Sequence, residues 1–367
     1  TSSIAAMFLT LAIMAPFSGA LMLRFGVSKI VVISGICIIF GLIATTQVYE
    51  KWQLLLTIGI LLGTAAGLIG LGLTATIATR WFHSKRGLIV GLSAAGFAAG
   101  QLIFTPLMAW VVSSHDWRFA IFPPLIGVGL CALLFILFGR DWPAEINLPS
   151  YGETRVLPIL ENSSAGAISI SLSCIMDALP NPTFWMLSIT FFICGLSSTG
   201  LVGQHFIPFC SDNNVSTVLA ASYLALMAVF NCLGTIGSGW LSDRFDNYFL
   251  LAIYYGLRGL SLIWLPFSNF DAISLTLWAV FFGLDFIATV PPTVRLSGQV
   301  FGLVRGPVLF GWIFAAHQLG SSLATYGAGK SRDMILTYLP AFLIAGCLCF
   351  VAMIIVLVFR RTNIDIS

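Results

Sequence analysis

The chain has 367 residues, of which 58% are hydrophobic and only 8% charged, with a formal net charge of +3. Soluble domains carry about 25% charged residues, so this composition excludes one. Apolar runs recur near the ~20 residues that span hydrocarbon, which also excludes a transmembrane barrel, whose segments are about ten residues long and alternate in polarity.

Apolar windows between charged or Pro/Gly-rich breaks predict eleven spans, near residues 2–22, 30–48, 54–79, 87–112, 119–139, 183–209, 216–240, 248–267, 272–292, 306–328 and 338–359. The first lacks the basic start of a signal peptide and reaches span length without a break. Residues 140–182 are the only long polar stretch and contain Pro143, Pro149, Pro158 and Pro180, so they read as a linker. The expected organisation is an N-terminal helical part (1–139), a cytoplasmic linker (140–182) and a C-terminal six-helix part (183–367). The cysteines lie in spans, at a span end (Cys210) or in the linker (Cys174), and no pair occupies facing loops, so no disulfide is expected.

Charge sets the orientation. If the 23–29 loop faces the cytoplasm, twelve basic residues fall on that side and four on the other, with a cytoplasmic C-terminus. An integral protein of the cell (inner) membrane is expected, with the lipid bilayer as its solvent.

Two turns repeat at a distance of 220 residues: Ser18-Gly19 leading to Arg24-Phe25, and Ser238-Gly239 leading to Asp243-Arg244-Phe245. At the same offset Gly91, Ala95 and Gly100 map onto Gly311, Ala315 and Gly320. Such internal duplication is the build of many secondary transporters. Six spans after the linker against five before it imply that one N-terminal helix is missing from a twelve-span plan. The repeated turn has the chemistry of a gate. Gly19 and Gly239 admit a neighbouring helix, Asp243 can accept from helix-end N–H groups or pair with a cation, and Arg24 and Arg244 supply charge at the membrane face. Leu23 stands where Asp243 has its carboxylate, so the second turn should carry more of the gate.

Few polar groups enter the spans. Of 17 basic and 14 acidic residues, only Arg258 and Asp285 lie well inside, where a charge costs about 2.5 kcal/mol or more and must face protein or water. At 1.5 Å per residue, Arg258 is about 16 Å from its helix start and Asp285 roughly 9 Å from the cytoplasmic face, so the two could form a buried pair. His317 falls about 16 Å into its helix, next to Gln318. An imidazole can exchange a proton or hold a carboxylate as a cation. Asn231 and Thr235 add amide and hydroxyl groups, and Gln204 and His205 stand near an outer helix end. Trp278 and Trp312 lie within spans, where either could wall a cavity.

The chain resembles the major facilitator superfamily over essentially its full length. The residues that carry this are the two turns and the run Arg80-Trp-Phe-His-Ser-Lys85-Arg86-Gly87 entering Gly91-Leu-Ser-Ala-Ala-Gly96, followed by Pro106-Leu107 and Asp116-Trp117-Arg118. This series is similar to the branch of oxalate/formate antiporters and monocarboxylate transporters. The resemblance implies an all-α major facilitator fold with two six-helix halves around a cavity. It places Asp285 on a cavity-lining helix and Arg258 on a supporting one. In that branch a lysine falls on His317 and an arginine on Thr235, so both cations of a dicarboxylate clamp are changed here.

These readings converge on a secondary active transporter of a small organic anion, monocarboxylate-like and proton-coupled, working by alternating access. His317, Gln318, Asn231, Thr235, Gln204 and His205 are the expected substrate contacts, with Asp285 and His317 handling protons. An anion exchanger of the same fold, or a transporter-like sensor, is the alternative. No nucleotide loop, metal cluster or nucleophile–base motif stands out, so neither an enzyme nor a cofactor is expected. No basic patch suits nucleic acid, and a monomer is expected.

Overall fold

The computed structural model describes residues 2–156 and 166–364, apart from side chains at 105, 106, 109, 113, 114, 167, 303 and 361–364. Pro158 and the side chain of Pro106 therefore lie outside the described residues. The helices before the linker are α1 (Ser2–Phe25), α2 (Val27–Thr46), α3 (Lys51–Trp81), α4 (Arg86–Ser114) and α5 (Trp117–Phe138). Helix α6 (Ala167–Ala178) lies in the linker. After it come α7 (Pro182–Asp212), α8 (Thr217–Ser242), α9 (Asn247–Phe267), α10 (Ala272–Gly302), α11 (303–335) and α12 (Leu339–Ile364).

Ten of these helices are long and apolar enough to cross a membrane; α11, which carries His317, Gln318 and several serines and threonines, runs among them. Polar side chains start the helices at the ends of the bundle. Asn181 accepts from the Thr183 N–H with Pro182 in the first turn, Asp246 from Tyr248, and Asp271 from Ser274. Each satisfies a donor that the first helical turn leaves free. Outward-facing leucines and isoleucines such as Ile126 and Ile136 are exposed because lipid, not protein, is their neighbour.

Two sequence expectations need correction. Residues 293–305, read as a loop, are largely helical: α10 continues to Gly302, where a φ of 79° ends it. Arg295 thus stands on a rigid helix. The described parts of the linker also carry regular structure that its prolines do not suggest, a short turn at Pro143–Ile146 and the whole of α6.

The N-terminal and C-terminal helices meet along two seams built from the residues that the 220-residue offset equates. In one, α4 crosses α8. A Cβ on Gly91 would stand 2.6 Å from the Thr235 carbonyl oxygen, and one on Gly239 2.5 Å from that of Gly87. In the other, α1 runs along α11. A Cβ on Gly311 would lie 2.6 Å from the Ala15 carbonyl oxygen, and one on Gly19 3.1 Å from the Val308 Cα. Neither seam has room for a larger residue at these positions, so backbones touch where side chains would otherwise hold the helices apart.

Candidate functional site

A buried polar cluster lies among α7, α9, α10 and α11. Arg258 is fully buried and donates Nε to Asp285 Oδ2 at 2.6 Å, one Nη to the Asp285 carbonyl at 2.6 Å, and the other to Cys194 Sγ at 2.8 Å. The Phe286 carbonyl accepts a further bond at 3.2 Å, and Cys194 Sγ lies 3.2 Å from Thr289 Oγ1. Just past Asp285, α10 loosens into turns, and there the Asp285 carbonyl accepts from the Ala288 N–H at 3.2 Å as well as from Arg258. The guanidinium fork suits such a mixed set of acceptors, where an ammonium would not.

His317 closes the cluster from α11. Its ring lies 4.7 Å from that of Phe191 and stacks on Phe314 at 5.7 Å between centroids, and it interacts with the Cys194 thiol. The approach depends on small residues. A Cβ on Gly195 would strike the His317 carbonyl oxygen, and one on Gly320 the Phe192 carbonyl oxygen. Immediately after Gly195, α7 widens into a π-helical stretch, Leu196–Val202, a local unwinding often found at functional sites. On the far side, a Cβ on Gly70 of α3 would come 3.0 Å from the Phe314 ring, so this aromatic pair reaches the N-terminal helices.

On α10 and α11 three polar atoms are buried without a hydrogen-bond partner among the described residues: Asp285 Oδ1, His317 Nδ1 and Gln318 Oε1. Buried polar groups are bonded in the great majority of cases, so each of these unmet atoms marks a place for a proton or a polar ligand.

The other expected contacts are placed differently. Asn231 and Thr235 are buried on α8 in the α4 seam, where the Thr235 hydroxyl donates to Asn231 Oδ1 at 3.0 Å. His205 is buried, with Nε2 2.9 Å from the Thr325 carbonyl and Nδ1 3.3 Å from the Tyr338 hydroxyl, so both nitrogens tie α7 to neighbouring segments. Gln204 is half-buried beside it. Trp278 is core, stacked between Phe206 and Phe282, while Trp312 donates to Ser171 of α6 at 3.1 Å.

At the basic end of the bundle, Asp243 accepts from the N–H groups of Gly87 and Leu88, each at 2.9 Å, and also pairs with Arg295. It caps α4 with a side chain from the end of α8, joining N-terminal to C-terminal helices through charge-assisted bonds. Arg244 stacks on Trp240 at 4.0 Å and Arg24 on Phe25 at 5.0 Å. The second seam has Leu23 in place of a carboxylate, and α6 joins its two sides instead. Ser171 Oγ donates to the Pro16 carbonyl at 2.7 Å and accepts from Trp312, so α1 and α11 share one buried hydroxyl. Cys194, Thr289, Arg295 and Ser171 were not singled out from sequence. Only Arg295 had a readable signal, as one of the basic residues on the same membrane face as the acid-bearing turn.

The family profile described as Major Facilitator Superfamily matches residues 2–325. Monocarboxylate transporter 13 of Rattus norvegicus is 25% identical over 337 residues, covering 90% of this chain and 73% of its own. The oxalate:formate antiporter of Oxalobacter formigenes is 23% identical over 296 residues, covering 80% of this chain and 66% of its own. The human organic anion transporter MFSD10 (TETRAN) superposes with a TM-score of 0.73 at 12% identity, over 97% of this chain and 82% of its own.

Proposed function

The chain belongs to the major facilitator superfamily of membrane transporters, which are not enzymes, and on that premise we propose that it carries a small organic anion of the monocarboxylate type together with a proton. The observation that carries this reading is the buried Asp285 carboxylate, with Oδ2 held by Arg258 and Oδ1 unbonded, together with the unbonded His317 Nδ1 and Gln318 Oε1 on α11. With Asp285 ionised, the Arg258 pair is neutral. A proton added to Asp285 Oδ1 leaves the guanidinium uncompensated in a water-poor site, and an anion entering beside His317 restores neutrality. Proton and anion thus favour each other's binding, which is the thermodynamic basis of symport. The names of the monocarboxylate and oxalate:formate relatives favour a carboxylate as that anion.

Residues 1–139 and 183–367 serve as the two moving halves, with the basic end facing the cytoplasm of the cell membrane, as the twelve-to-four distribution of basic residues favours. In this arrangement Asp243, at the cytoplasmic end of one seam, and Ser171, further along the other, hold the two seams together, and opening requires both contacts to break.

The test is uptake of a radiolabelled monocarboxylate into proteoliposomes under an imposed inward proton gradient. Gradient-driven uptake is expected in the native chain, and Asp285→Asn should abolish the drive while leaving counterflow of preloaded substrate. Wild-type accumulation by Asp285→Asn would end the proton role of Asp285. The exchanger reading, suggested by the name of the Oxalobacter relative, requires instead that flux occur only against a preloaded counter-anion.

Asp243→Asn tests the latch. Losing the charge weakens two bonds to amides and one ion pair, with charge-assisted bonds contributing about 1.5–3 kcal/mol, enough to shift the opening equilibrium ten- to a hundredfold. A cysteine introduced at Val90, buried at this end, should then react faster with a membrane-impermeant thiol reagent from the cytoplasmic side. An unchanged labelling rate would remove Asp243 from the gate.

A further inference from the structure

A cavity of about 580 Å3 opens beside the Asp243 latch, between the start of α4 and the ends of α8 and α10. Lys85, Arg86, Arg244 and Arg295 line it, with Asp243 as the one acidic side chain on its wall, and that carboxylate is committed to Arg295 and the α4 amides. Arg86 and Arg295 come from opposite sides of the seam and repel each other. The Lys85 ammonium lies 3.4 Å from the Tyr151 hydroxyl and over its ring, and Arg86 gives Nε to the Phe82 carbonyl at 2.6 Å. Glu153, paired with His83, offsets part of the charge on Arg86, so four cations against Asp243 and Glu153 leave an excess of positive charge, and the wall also carries apolar Val90 and Val294.

We propose that this cavity binds the phosphate group of an anionic ligand, which bridges Arg86 and Arg295 and so clamps α4 to α10. Two guanidiniums and an ammonium match the several oxygens of a phosphate. A cationic rim above an apolar wall at a helix end, with the exposed ring of Trp240 alongside, suits the headgroup of an anionic phospholipid. A soluble phosphate ester offers the same group without the acyl chain. Because the bridge exists only when the seam is closed, the bound phosphate stabilises the closed arrangement by its differential affinity. None of this depends on what the protein transports.

Thermal unfolding of the purified full chain in detergent tests the site, with short-chain phosphatidylglycerol, short-chain phosphatidylcholine and glycerol 3-phosphate as probes. A saturable rise of about 2–4 °C is expected with phosphatidylglycerol and none with phosphatidylcholine. The rise should be lost in Arg86→Gln and reduced in Lys85→Gln, a change at an exposed position. A rise with phosphatidylglycerol alone assigns the site to lipid; a matching rise with glycerol 3-phosphate assigns it to any phosphate ester. Equal shifts with phosphatidylcholine, no shift with either phosphate, or an undiminished shift in Arg86→Gln would overturn the proposal.

Discussion

Arg258→Ala should destabilise the purified protein by about 3–5 kcal/mol, the cost of breaking a buried ion pair from one side, and should abolish transport. The substitution leaves the Asp285 carboxylate, 5% exposed, without its counter-charge, and takes donors from the carbonyls of Asp285 and Phe286 and from Cys194. Arg258→Met/Asp285→Leu should recover much of that stability, because two apolar side chains of similar volume carry no desolvation penalty in this setting. Recovery stays incomplete, since the Phe286 carbonyl and Cys194 lose the guanidinium and the Asp285 carbonyl keeps only the Ala288 N–H. If the pair serves proton and anion binding, the double variant folds and does not transport. Chemical denaturation and proteoliposome uptake, measured on the same preparations, separate the two roles. A double variant as unstable as Arg258→Ala reduces the cluster to packing, and one that accumulates substrate like the native chain removes it from transport.

The bundle was legible because its signals are strong and redundant. Runs of about twenty apolar residues have no other stable use, and the offset that equates Gly19 with Gly239 and Gly91 with Gly311 identified residues that the fold uses in its seams. What the offset does not contain is which copy meets which. Gly239 packs on the helix of Gly91, and Gly19 on that of Gly311, a choice made by tertiary packing. The end of α10 was misread for a similar reason. Charged and small residues around Arg295 resemble a loop, yet the segment is helical and places Arg295 against Asp243, a partner 52 residues away that the sequence does not reveal. Ser171 was invisible, since a serine in a polar linker has meaning only once α6 is folded against Pro16 and Trp312. In the cluster, Arg258, Asp285 and His317 were conspicuous as rare polar groups in apolar helices, whereas Cys194 looks like any buried cysteine until the guanidinium is seen against it.

His317→Ala should raise the substrate concentration needed for half-maximal transport by about ten- to a hundredfold, the loss expected when a charge-assisted bond of roughly 1.5–3 kcal/mol to a carboxylate is removed. His317→Lys separates charge from shape. A fixed cation at this position keeps the electrostatic hold on an anion and loses the imidazole ring, so His317→Lys should retain the substrate protection against thermal unfolding that His317→Ala loses. The ring lies against Phe191 and Phe314 with Nδ1 unbonded, and a cation there can lie against either aromatic face. Substrate protection reads binding without requiring turnover. Loss of protection in His317→Lys would mean that the site uses the imidazole's shape and hydrogen bonds rather than its charge, and the anion reading would then rest on Arg258 alone.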